Sequence, residues 1–126
     1  MSVGLNIGVL TVSDTRTLEN DTSGQFLCDA LSECGHNLVD RHIEIDDIYL
    51  LRAHVSKWIA DEAIEVILMT GGTGFTTRDS TPEAILPLLD LEVPGFGELF
   101  RQLSYEEIGT STVQSRALAG FANNTL

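Results

Sequence analysis

The stretch Gly71-Gly72-Thr73-Gly74-Phe75-Thr76-Thr77-Arg78-Asp79 gathers more potential chemistry than any other part of the chain. Glycine removes the Cβ that keeps ligand atoms away from main-chain N–H groups. Gly71, Gly72 and Gly74 therefore allow several amides to turn inward ahead of a helix N-terminus, an arrangement that binds phosphate without formal positive charge. Thr73 could add a hydroxyl and Arg78 a cation. A tight turn of purely mechanical purpose fits the same residues. The stretch is neither a Walker A motif, since no Gly-Lys-Ser/Thr follows, nor a G-x-G-x-x-G dinucleotide fingerprint.

Acids accompany it. Asp46 and Asp47 precede an apolar helical run and suit its N-cap and first turn. Asp79 precedes Ser80 and suits an Asx turn. Capping one helix needs only one acid, however. A pair of carboxylates beside a phosphate cradle fits Mg²⁺, a hard ion that takes oxygen ligands and bridges phosphate oxygens. On that reading two of Asp46, Asp47 and Asp79 could form a site for metal-assisted phosphoryl or nucleotidyl transfer. Ser13-Asp14-Thr15-Arg16 supplies a further polar loop.

These loops need elements to hold them. Leu5–Val12 is a short, nearly continuous apolar run, the pattern of a strand covered on both faces. Asp21, Thr22 or Ser23 caps a helix carrying Phe26, Leu27, Ala30, Leu31 and Cys34, with Gly35 just past its end. Leu38–Ile45 reads as an edge strand, and Ile48, Leu51, Val55 and Ile59 mark the next helix. Glu65–Thr70 is a third strand. Ser80-Thr81-Pro82-Glu83 has capping-box spacing, and Pro87 should stop the helix it opens. Phe96, Leu99, Phe100 and Leu103 define another helix, expected to pack in the core, with a subunit contact as the alternative. A last helix is expected from Thr110 or Ser111 to about Ala119. Alternating strands and helices predict an α/β fold: a three-layer sandwich, its sheet mostly parallel, with helices on both faces. Right-handed crossovers then bring the carboxyl ends of the strands, and with them the three loops, to one edge.

The 126 residues fit a single domain spanning 1–126. Nineteen acids against seven bases give a formal charge of −12, a field that repels nucleic acid and anionic membrane. No apolar run approaches the ~18 residues of a membrane span and no basic leader precedes Leu5, so a cytoplasmic location is expected. Cys28 and Cys34 fall on different helix faces, as two buried, unpaired thiols of a reducing compartment would. His36, His42 and His54 lack metal-ligand spacing and read as ordinary. Asn123-Asn124 signals a turn and Thr125-Leu126 opens an apolar run, so a C-terminal strand and helix are expected to be missing.

Thr11-Val12-Ser13-Asp14, Asp21-Thr22-Ser23-Gly24 and above all Thr70-Gly71-Gly72-Thr73-Gly74 with Arg78-Asp79 and Thr81-Pro82-Glu83-Ala84 resemble the MoaB/MogA family of molybdenum-cofactor biosynthesis. Val93-Pro94-Gly95-Phe96-Gly97-Glu98 and Ser115-Arg116 extend the resemblance over almost the whole chain. Leu103–Ser111 looks closest to the bacterial protein B branch. The resemblance implies homotrimers or homohexamers that bind molybdopterin, a pterin bearing a dithiolene and a terminal phosphate. It also implies adenylyl transfer from Mg·ATP to that phosphate, or binding of the pterin without catalysis. The family's essential acids match Asp46 and Asp79, which would hold Mg²⁺ or orient phosphates. Its pterin and nucleotide site matches Gly71, Gly72, Thr73 and Gly74, with Ser13, Asp14 and Arg78 beside them.

Overall fold

The computed structural model describes residues 4–74 and 79–126. Three parallel strands, β1 (Asn6–Val12), β2 (Asn37–Glu44) and β3 (Val66–Thr70), form a sheet of order β2-β1-β3. Helices α1 (Thr22–Glu33) and α2 (Ile48–Ala60) make the connections between them. The central strand explains the layers. Its side chains alternate between faces, so Ile7 and Val9 pack with Cys28, Leu31 and Val66, while Leu10 and Val12 pack with Leu51, Val55, Trp58, Ala84 and Ile85. Both faces of β1 are buried, as its unbroken apolar run predicts, and the predicted three layers are α1, the sheet, and α2 with α3 (Thr81–Ile85).

Leu126 extends this sheet. Its carbonyl accepts from the Ile67 amide at 2.8 Å and its amide donates to the Glu65 carbonyl at 3.1 Å, a parallel pairing with β3. The strand-like character expected of Thr125-Leu126 is therefore seen in its bonding.

Several expectations are corrected. The helix expected to reach Ala119 is only a 3₁₀ segment over Gly109–Gln114. Arg101 draws the next carbonyls away from a helical ladder, donating to those of Ser115 and Ala117 at 3.2 Å each. The chain then pairs antiparallel as β5 (Gly120–Phe121) with β4 (Leu91–Glu92). The stripe on α4 (Pro94–Ile108) is not core: Phe96, Leu99, Phe100 and Leu103 are all exposed, because α4 lies against the 3₁₀ segment rather than the sheet. Phe26 is likewise exposed, and of the two cysteines only Cys28 is buried. Both thiols are free, as their spacing predicts. The histidines, distant in sequence, are not all ordinary either: the rings of His42 and His54 stack with centroids 4.0 Å apart. Among the described residues, no helix is long and apolar enough to cross a membrane.

Candidate functional site

Because the three strands run parallel, the segments leaving β1, β2 and β3 emerge on one edge of the sheet. Ser13 and Asp14 leave β1. The Ser13 amide donates to the Glu44 carbonyl at 2.9 Å, and its hydroxyl accepts from the Thr15 and Arg16 amides at 3.2 and 3.0 Å. Asp14 Oδ1 accepts from the Asp46 amide at 3.1 Å and ties the first loop to the second.

Asp47, not Asp46, caps α2: its carboxylate accepts from the Tyr49 and Leu50 amides at 2.9 Å each. Asp46 is thereby released from capping and turns toward the third loop. Its Oδ1 accepts from the Ser80 amide at 3.0 Å and from the Ser80 hydroxyl. Asp46 is buried, and among the described residues no cation pairs with it. The capping box predicted over Ser80–Glu83 does not form. Ser80 bonds Asp46 and Glu83 pairs with Arg116, since charged partners outbid a backbone amide.

The glycine-rich loop lies directly against both acids. Gly71 and Gly72 have φ of 101° and 70°, the left-handed region where a side chain is strained. A Cβ on Gly72 would stand 3.0 Å from Asp46 Oδ2 and 2.3 Å from Thr81 Oγ1, and one on Gly74 would stand 2.7 Å from Asp79 Oδ2. Asp46 and Asp79 thus press on the same loop two residues apart. The structure brings Asp14, Asp46, Gly71, Gly72, Thr73, Gly74 and Asp79 together; Arg78 lies outside the described residues.

The carbonyls of Gly71–Gly74 are all occupied. Gly71 accepts from the Thr81 hydroxyl at 2.8 Å and Gly72 from the Thr81 amide at 3.0 Å. Thr73 accepts from the Arg116 amide at 3.0 Å and Gly74 from Arg116 Nε at 2.7 Å. Another Arg116 nitrogen donates to the Asp79 carbonyl at 2.6 Å, and the guanidinium pairs with Glu83, whose pKa that hydrogen bond lowers. Spacing gives no signal for Arg116: it stands 37 residues from Asp79 and its partners are mostly main-chain carbonyls. By spacing Ser80 and Thr81 read as helix punctuation, and neither the bonds to Asp46 nor those to the loop carbonyls are signalled.

A second buried carboxylate lies nearby. Asp21, 3% exposed, caps α1 through the Gly24 amide at 3.0 Å, accepts from the Thr11 hydroxyl at 2.7 Å and pairs with Arg41 at 3.3 Å. Burial alone would raise its pKa, but the bonds from Thr11, Gly24 and Arg41 together hold it below the ordinary 3.8. Ser13 and Asp14 also line a depression of about 360 Å³ with Arg16, Arg41 and His42, while Asp46 and the glycine loop lie outside its lining.

Residues 8–125 match the family model described as "Probable molybdopterin binding domain". The chain belongs to this family. It is 58% identical over 120 residues to molybdenum cofactor biosynthesis protein B of Escherichia coli (strain K12), spanning 95% of this chain and 71% of that one. Protein B of Bacillus subtilis (strain 168) is 47% identical over 118 residues, 93% of this chain and 69% of its own. Among solved structures, a molybdenum cofactor biosynthesis protein B superposes with a TM-score of 0.93 at 44% identity, covering 98% of this chain and 77% of that one. A tungsten cofactor synthesizing MoaB from Pyrococcus furiosus gives 0.84 at 38% identity, covering 97% and 76%. This family member therefore has the α/β fold of the MoaB and MogA structures.

Proposed function

We propose that the chain works in molybdenum cofactor biosynthesis, binding molybdopterin and adenylylating its terminal phosphate with Mg·ATP. The observation that carries this reading is the buried Asp46, held by neutral donors and without a cation partner among the described residues, packed against Gly72 and adjoining the loop that meets Asp79. A buried carboxylate with no counter-charge is costly. The all-oxygen donors of Asp46 and Asp79 fit Mg²⁺, and nitrogen and sulfur ligands are absent from this part of the described edge.

In the reaction an oxygen of the pterin phosphate attacks the α-phosphorus of ATP, a P–O–P bond forms, and pyrophosphate leaves with the electrons of the broken bond. Magnesium supplies charge neutralisation on the phosphates. The chain supplies position. Arg116 and Thr81 hold the four loop carbonyls, so a phosphate approaching Gly71–Gly74 meets amides rather than lone pairs. Asp14 fixes the Asp46 backbone, and Ser80 orients its carboxylate. No side chain forms a covalent intermediate.

The test is incubation of purified protein with molybdopterin and Mg·ATP, followed by chromatography for the adenylylated pterin and assay of pyrophosphate. Formation of both in equal amounts is expected. Tight pterin binding with neither product would defeat adenylyl transfer and leave a cofactor-binding assembly protein. The reading also includes a homotrimer or homohexamer, whose contact is the exposed Phe96–Leu103 face of α4 against a second copy. Light scattering should then give a multiple of the chain mass, reduced to one chain by Leu99→Glu with Leu103→Glu.

A further inference from the structure

A cluster outside the proposed reaction joins β2 to α2. Positions 42 and 44 of β2 share a face because strand side chains alternate, and His54 of α2 meets that face. His42 Nε2 stands 3.2 Å from Glu44 Oε2. The imidazoles of His42 and His54 stack at 4.0 Å with their planes 6° apart, and His54 meets Trp58 edge-on at 4.5 Å. One nitrogen from each histidine and one oxygen of Glu44 all lie within 4.8 Å of one another. His54 Nε2 is buried with no hydrogen-bond partner. A buried ring nitrogen left unbonded normally has a partner, and here two candidate ligands stand beside it.

The geometry points to a transition-metal site formed by His42, Glu44 and His54, taking Zn²⁺ or a neighbouring divalent ion of the first row. Two imidazole nitrogens and one carboxylate oxygen are borderline donors that suit Zn²⁺, Co²⁺, Ni²⁺ or Cu²⁺ and not Mg²⁺. Tetrahedral zinc sets its ligands about 3.4 Å apart, which the His42–Glu44 pair at 3.2 Å already approaches. An ion lies in the plane of each imidazole it binds, so the parallel rings must open out as the site closes. Both rings and the glutamate are only partly buried, which leaves room for that movement. The formal charge of −12 favours any cation. A fourth position falls to water or a small ligand.

The site is testable without reference to the proposed reaction. The full chain, stripped with a chelator, is titrated with Zn²⁺ by calorimetry and with Co²⁺ by visible absorption. One Zn²⁺ per chain is expected, and Co²⁺ should develop ligand-field bands without a thiolate charge-transfer band. His42→Gln, Glu44→Gln and His54→Ala should each weaken Zn²⁺ binding tenfold or more. Circular dichroism in chelator checks folding; if His54→Ala unfolds, the two β2 variants carry the result. Asp46→Asn and Asp79→Asn should leave the titration unchanged, so failure here and failure of adenylyl transfer are separable. Absence of stoichiometric binding, indifference to the β2 variants, or a thiolate band placing the ion on Cys34 would each overturn the proposal.

Discussion

Asp21 and Asp46 are both buried aspartates that precede a helix and follow a strand, and they do opposite things. Asp21 caps α1 and has Arg41 as counter-charge. Asp46 caps nothing, since Asp47 takes that role, and the groups around it are a serine, a glycine and the Asp14 contact to its amide. A buried carboxylate that brings its own cation is a fixture of the fold. One that lacks a cation is stabilised by whatever cation arrives. On the proposed function, the contrast separates a structural acid from a functional one more cleanly than position, burial or residue type.

The sharpest way to break the contrast is to neutralise each acid in turn. Asp46→Asn or Asp79→Asn should lower adenylyl transfer by roughly 10²–10³, measured as turnover with Mg·ATP. Asp46→Asn should leave the melting temperature unchanged or raised, because it deletes a buried charge while its amide oxygen still accepts from Ser80. Asp21→Asn should do the reverse. It leaves Arg41 without its ion pair and should cost roughly 2–4 kcal/mol by chemical denaturation, with little change in turnover per folded molecule. Equal destabilisation by the two variants would erase the distinction.

Gly72→Ala probes the wall between acid and loop. The added Cβ meets Thr81 Oγ1 at 2.3 Å in a left-handed backbone, so a loss of roughly 1–2 kcal/mol is expected, together with weakened pterin binding by calorimetry. The smallest effect is on pH. A carboxylate whose folded pKa is depressed adds stability that is complete above its unfolded value, 3.8 for Asp21, and lost as pH falls through the folded value. Acid titration of unfolding should therefore show a shallower loss below that pH in Asp21→Asn than in the parent chain.

Much of this was legible in advance. The buried run of Leu5–Val12, the edge character of β2 and the glycines of the third loop were all set by local chemistry, and the resemblance reached Asp46 and Asp79 by motif. The Ser115–Ala119 segment was misread because its carbonyl partners, Arg101 and Val93, come from elsewhere in the chain. The α4 stripe was misread because helical periodicity reports that one face is apolar, not what covers it. Arg116 stands in the sequence only as part of the Ser115-Arg116 match, with no role attached, and the His42–Glu44–His54 cluster gives no sequence signal, because in each case the groups that meet come from different elements.

By itself, the order of residues determined the strands and most helices, the parallel sheet and the conformational freedom of the third loop, since each follows from period, turn chemistry or the absence of a Cβ. Tertiary structure alone decided which aspartate caps and which is released, which arginine clasps the loop, and which histidines meet. Those outcomes depend on which side chains are brought together from different elements, more than 30 residues apart for the partners of Asp46 and Arg116 and from β2 and α2 for the two histidines, and no local rule encodes such meetings.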